Sequence, residues 1–291
     1  VDIVGDCYEL ILLTSCGREG SEHVLEEALK LVGANEGTSV SAKEESGLVN
    51  IKTRTEHTEE FLEQLRNVEG VSEVKEIHPI LTVLSDRHAD IPFASAEEML
   101  AYGDETGKEL WELGVEYEMA RSGWSRQQVM EYMEYVVDTM ENSAKEGLKG
   151  EGDMSGIISP TSGKVEAYIK QQPSALDMGV LNTVVPWSMA VMEYSSTMGK
   201  VLCAPTGGSA GVFPGAVLGT ANHMGLEKDA KVRAMFVTAV IGIVMSKDCN
   251  YSAELYGCQV EPGAASGMAA AGLVCLMGGT SEQMCMAASC A

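Results

Sequence analysis

A run of very small residues near the C-terminal end most constrains how this chain can fold. It extends from Gly257 to Leu273, and most of its members are Ala, Gly or Ser. Side chains this short let two helices approach closely, so the run predicts a helix packed tightly against its neighbours. A single thiol, Cys258, comes just before this helix, where it can serve as a ligand to a metal cluster.

A second run of the same character extends from Cys203 to Gly215. Its glycines suggest a phosphate-binding loop, but the run lacks the Gly-Lys-Ser/Thr ending and follows no clear strand. Close helix packing at a substrate pocket is the better interpretation. Two interpretations stay open for Thr206 and Ser209: hydroxyls offered to a bound carboxylate, or helix caps that face the core.

The N-terminal segment alternates between strand and helix patterns. We predict strands at 8–13, 38–42, 48–53 and 71–77, with helices at 22–31 and 59–66. The first helix is predicted to have Val24, Ala28 and Leu31 on its inner face. The order β-α-β-β-α-β predicts a ferredoxin-like sheet with both helices on one face. It also resembles the ACT regulatory domain, which commonly carries a Gly at its first strand–helix turn and binds amino acids. Here Gly17-Arg-Glu-Gly20 stands at that turn.

The remainder of the chain reads as predominantly helical. Ser125 and Gln128 have the spacing of a capping box, and Val129, Val137 and Met140 share one stripe of the helix that follows. Beyond a Gly-rich break at 147–156, we predict helices at 164–171, 177–198, 207–222, 228–246, 265–277 and from 281 onward. The predicted fold is an α+β, ferredoxin-like (ACT-like) module at 1–80, a connector at 81–94 and a mostly all-α domain at 95–291.

The charge balance excludes two classes of partner. With 43 acidic and 20 basic residues, the chain has a net charge of −23. Nucleic acids and anionic membrane surfaces do not attract a polyanion, so we expect neither as a partner. The eight cysteines show no framework spacing, which favours reduced thiols and a cytoplasmic location.

Residues 93–291 contain four sequence motifs, here called blocks, that follow one another along the chain. They are Lys164–Ile169, Cys203–Gly215, Gly257–Ala271 and Gly278–Gln283. In this order they resemble the α domain of iron–sulfur-dependent L-serine dehydratases. Four blocks in the right order are far more specific than any one of them.

The resemblance implies an enzyme that converts L-serine into pyruvate and ammonia. In that family three cysteines hold a four-iron–four-sulfur cluster, and the iron without a protein ligand acts as a Lewis acid on the substrate. Cys258 matches the first cluster ligand. The other two lie in a Cys-Asp-Pro and a Pro-Cys segment, neither of which occurs in this sequence. We therefore expect them beyond Ala291, in a longer protein.

The resemblance also suggests roles for other residues. Lys164 and Ser252 match family positions and are catalytic candidates, while Thr206 and Ser209 are candidates for substrate binding. The family's β domain, with its Ser-Ser-Ser-His-Thr motif, is missing, so a β subunit or domain is an expected partner. A homo-oligomer that takes a small amino acid as its substrate is also expected.

Two loops depart from the family pattern and leave the substrate open. Ser159–Ser162 stands where the family usually has Gly-Gly-Asp-Ala, and residues 248–252 replace an Asn-Ala-Ser-rich run. One alternative is therefore β-elimination from another amino acid such as L-cysteine. A second alternative is a cluster-free homologue that senses an amino acid through residues 8–80.

Overall fold

A computed structural model describes residues 7–78, 89–154, 156, 159–172, 177–247 and 249–291. Contacts divide the chain into two compact units, Val1–Leu84 and Ser85–Ala291. Most of the predicted connector at 81–94 lies outside the described residues. The domain limits at 1–80 and 95–291 stay predictions.

The N-terminal unit contains four strands and two helices in the predicted order. They are β1 (Tyr8–Thr14), α1 (Arg18–Val32), β2 (Gly37–Ala42), β3 (Gly47–Thr53), α2 (Glu59–Arg66) and β4 (Val71–Ile77). All pairings are antiparallel, and the strands lie in the order β2-β3-β1-β4. β1 is therefore an interior strand, although it comes first in the sequence.

Alternation along the strands gives this unit its core. Leu10 and Leu12 of β1 point to the same face and are fully buried, together with Val24 and Ala28 of α1. The sequence also predicted Leu31 on the inner face of α1, and this prediction was wrong because Leu31 is 42% exposed. Val32 packs against the core instead, since it continues the four-residue spacing from Val24 and Ala28.

The second unit is predominantly helical, as predicted. Its helices are α3 (Ala96–Thr106), α4 (Leu110–Ser122), α5 (Arg126–Lys149), α6 (Ser162–Gln171), α7 (Leu181–Ser196), a π-helix (Phe213–Leu218), α8 (Gly219–His223), α9 (Lys228–Met245), α10 (Ala253–Tyr256), α11 (Val260–Leu276) and α12 (Ser281–Cys290). The capping box predicted at Ser125 and Gln128 is confirmed, and a second capping box is present at Thr280 and Gln283. Within the described ranges, no helix is long and apolar enough to cross a membrane.

Helix α11 packs closely on α9, which confirms the prediction from its small residues. A Cβ added at Gly272 would lie 2.7 Å from the Thr238 methyl group, and one at Gly242 would lie 2.9 Å from the Met268 sulfur. Both glycines are buried at this contact. The absence of side chains therefore sets the spacing of the two helices.

Several helix limits differ from the predictions, among them the start of α1 at Arg18 rather than at 22 and the span of α7, Leu181–Ser196 rather than 177–198. The helix predicted at 207–222 starts only at Phe213, and Gly211 of the preceding loop packs against the backbone oxygen of Ser188 in α7. Helix α11 starts at Val260 rather than at 265, since proline is tolerated in a first helical turn. The break predicted from residue 147 is also misplaced, because α5 continues to Lys149.

The start of α6 is held by a carboxylate from another helix. Glu193 of α7 accepts hydrogen bonds from the backbone N–H of Thr161 at 2.8 Å and of Ser162 at 3.1 Å. Both hydroxyls of these residues also donate to it. Burial raises the pKa of Glu193, but these hydrogen bonds outweigh it and hold the pKa below its ordinary value of 4.5. Glu193 thus caps α6 across 32 residues of sequence.

Replacing Glu193 with glutamine should destabilise the helical unit by about 1–3 kcal/mol at neutral pH, because a charge-assisted cap is lost. A carboxyl with a lowered native pKa stabilises above its unfolded pKa, and this contribution disappears as the pH falls through the native value. The difference from wild type should therefore shrink between pH 7 and about pH 3. Urea unfolding followed by tryptophan fluorescence measures it, since Trp111, Trp124 and Trp187 all lie in this unit.

Glu166→Gln is the matched control for this prediction. Glu166 lies on α6, the helix that Glu193 caps, and its carboxylate pairs with the Lys170 ammonium group at 2.8 Å. Loss of such a pair costs roughly 0.5 kcal/mol or less. Equal losses in the two variants, or a loss in Glu193→Gln that does not depend on pH, would contradict the capping role.

Candidate active site

Cys258 lies at the entrance to α11. The short helix α10 ends at Gly257, whose φ of 81° is a backbone conformation that favours glycine. The chain then turns through Cys258 and Gln259 into α11. The Cys258 thiol is exposed and so is open to a ligand from outside the chain.

The loop before Cys258 is anchored to α9 by a tyrosine. The hydroxyl of Tyr251 donates to the backbone oxygen of Gly242 at 2.5 Å, and burial raises the pKa of Tyr251 to about 12. Ser252, a predicted catalytic residue, caps α10 and donates its hydroxyl to Glu254. The structure thus places Ser252 in the same segment as Cys258, with its hydroxyl engaged by a local carboxylate.

The loop at 203–209 is stabilised by hydrogen bonds between two of its own residues. The Ser209 hydroxyl lies 3.0 Å from that of Thr206 and accepts a hydrogen bond from the Thr206 N–H at 3.3 Å. Ser209 is buried, and Thr206 is only partly buried. Ser209 therefore shapes the loop, and Thr206 is the better placed of the two to reach a ligand.

Glu261 brings the two small-residue blocks together. It occupies the first turn of α11, and its carboxylate lies directly over Gly208. A Cβ added at Gly208 would be 2.7 Å from Oε2 and 2.9 Å from Oε1 of Glu261. The Thr206–Ser209 loop and the Cys258 end of α11 are consequently neighbours. Glu261 lies within the Gly257–Ala271 block, but the sequence did not predict a role for it. An acidic residue in the first turn of a helix is also explained by the helix dipole.

Lys164 is not joined to these residues. It lies exposed on α6, which packs against α5 and α7. No hydrogen bond or ion pair links it to Thr206, Ser209, Ser252 or Cys258 among the described residues. The assignment of Lys164 as a catalytic residue therefore stays a prediction.

Cys275 and Cys285, which follow Cys258 in α11 and α12, are poor metal ligands. Burial raises the pKa of Cys275 to about 11 and also raises the pKa of Cys285, so both stay protonated at neutral pH. In the part of the chain that the structure describes, no group of three or more His, Cys, Asp or Glu side chains is arranged to hold a metal ion. Cys258 therefore offers one ligand, which by itself does not fit an iron–sulfur cluster.

Comparison with known proteins points to one family. The family model described as serine dehydratase alpha chain matches residues 105–291. The chain is 34% identical over 203 residues to L-serine dehydratase 1 of Escherichia coli, covering 68% of this chain and 44% of that protein. It is 29% identical over 191 residues to a probable L-serine dehydratase alpha chain of Bacillus subtilis, covering 66% and 63%.

A third relative covers a larger share of its own length. The L-serine dehydratase alpha chain of Peptoniphilus asaccharolyticus is 28% identical over 197 residues, which is 67% of each chain. Across these three relatives, the matched region spans between 44% and 67% of their length.

Proposed function

The chain belongs to the serine dehydratase alpha chain family, and we propose that it supplies the α-type catalytic part of an L-serine dehydratase. Loss of water from L-serine gives aminoacrylate, and addition of water then yields pyruvate and ammonia. The observation that carries this proposal is the contact between Glu261 and Gly208. It makes neighbours of two blocks that are more than 40 residues apart in the sequence.

An iron–sulfur cluster is part of the proposal, but the described residues do not complete a site for it. When bound, such a cluster supplies a Lewis acid for the departing hydroxyl group. Cys258 would be one ligand, and two further cysteines are expected beyond Ala291. We derive no step through the cluster from the residues present.

The chain's own groups would bind and orient the substrate. Thr206 can donate its hydroxyl to the substrate carboxylate. The Ser209 hydroxyl, which contacts the N–H and the hydroxyl of Thr206, stabilises the loop that carries it. Lys164 and Ser252 remain candidates for proton transfer. A β subunit or domain is the proposed partner, in keeping with the words "alpha chain" in the names of two relatives.

For the N-terminal unit we propose a ferredoxin-like, ACT-like module. The strand order β2-β3-β1-β4 and the packing of both helices into one core support this proposal. Gly17 precedes α1 at the β1–α1 turn, and a Cβ there would lie 2.7 Å from the backbone oxygen of Glu44. This close approach fits the family's use of glycine at that turn.

The proposed activity is tested on the full-length protein, purified without oxygen and analysed for iron. We expect L-serine to yield pyruvate and ammonia in equal amounts. L-Cysteine is the comparison substrate, because its β-elimination gives pyruvate, ammonia and sulfide. Faster turnover of L-cysteine would favour the alternative substrate, and iron-loaded protein that forms no pyruvate from either would reject the proposal.

A further inference from the structure

Glu261 has an unusual electrostatic position. It is partly buried, yet it makes no hydrogen bond or ion pair with any described residue. Every other Asp or Glu in the described ranges that is at least partly buried has such a partner, as Glu9, Glu141 and Glu193 illustrate. Both Glu261 oxygens keep contact with solvent, so they can accept hydrogen bonds from an external cation.

The surroundings of Glu261 place that cation beside the loop that contains Thr206 and Ser209. Both carboxylate oxygens lie over Gly208, which is exposed and has no side chain to shield them. Thr206 is two residues away along this loop, and Cys258 is three residues before Glu261. Cys258 thus lies in the turn that leads into the helix carrying Glu261.

We propose that Glu261 binds the α-ammonium group of the amino-acid substrate, an inference that rests on the proposed function. The ammonium group is the one cation in a β-hydroxy amino acid, and the substrate carboxylate has a separate donor in Thr206. A charge-assisted hydrogen bond from the ammonium group satisfies the Glu261 carboxylate. It also distinguishes amino acids from hydroxy acids of the same shape.

The test compares two unreactive ligands that differ only at this group. L-Alanine carries the ammonium group, L-lactate has a hydroxyl in its place, and neither has a β-hydroxyl to eliminate. Their dissociation constants are measured by ligand-observed NMR with full-length protein, and their inhibition constants against L-serine turnover. In Glu261→Gln we expect L-alanine to bind roughly tenfold to a hundredfold more weakly, while L-lactate changes less than about twofold.

Glu282→Gln is the matched control, because Glu282 occupies the same position in the first turn of α12 and is exposed. It should leave both ligands unaffected. The ratio of the two dissociation constants is informative even if Glu261→Gln folds poorly, since both ligands report on the same folded fraction. An unchanged ratio in a protein whose wild type deaminates L-serine would overturn this inference alone. A wild type that forms no pyruvate would overturn the proposed function, and the inference with it.

Discussion

Cys258→Ala in the full-length protein is expected to lower pyruvate formation from L-serine by roughly a thousandfold, because a Lewis-acid metal contributes several kcal/mol to the transition state. The proposed cluster would lose one of its three thiolate ligands. The thiol is exposed, so its removal leaves no cavity and should not affect folding. Iron per protein chain and the initial rate of pyruvate formation are the two measurements.

Cys290→Ala provides the comparison for this prediction. Cys290 is also exposed, but it lies at the end of α12 rather than in the turn that leads into α11. We expect its iron content and rate to match those of the wild type. If Cys258→Ala retains both iron and turnover, the thiol at the entrance to α11 is not a cluster ligand.

Local patterns predicted the elements of this chain well where neighbouring residues decide the structure. The limits of α2 and β4 agree with prediction to the residue, because alternation and capping signals are local. The same is true of the capping box at Ser125, where the hydroxyl and the Gln128 side chain satisfy each other's backbone groups. In each case the controlling contacts are within about four residues.

Contacts between distant segments account for what the sequence did not predict. Glu193 caps a helix that starts more than 30 residues earlier, and nothing in its local context marks it as a cap. In the loop before Phe213, Gly211 packs against the backbone oxygen of Ser188 on α7. The candidate site behaves in the same way: Cys258 and Thr206 were found from their blocks, but the placement of Glu261 over Gly208 depends on tertiary structure.

A close contact between the backbones of α5 and α7 leads to the largest loss of stability that we expect. Gly147 of α5 faces the backbone of Ala190 in α7, and an added Cβ would overlap the Ala190 oxygen and lie 2.5 Å from its carbonyl carbon. Backbone atoms cannot move aside as a flexible side chain can, so α7 as a whole would have to shift. Gly147→Ala should therefore lower the free energy of unfolding by roughly 3 kcal/mol, although alanine favours a helix by about 1 kcal/mol.

Gly263→Ala separates this steric effect from helix propensity. Gly263 lies in α11 with no other atom within 4 Å of an added Cβ. Alanine there should stabilise the unit by up to about 1 kcal/mol, since only the propensity term remains. Both variants are unfolded in urea and followed by tryptophan fluorescence, which reports on this unit alone. Shifts of the same sign and size in the two variants would mean that α5 and α7 are not in close backbone contact at Gly147. Residues other than Gly147 would then set the spacing of these two helices.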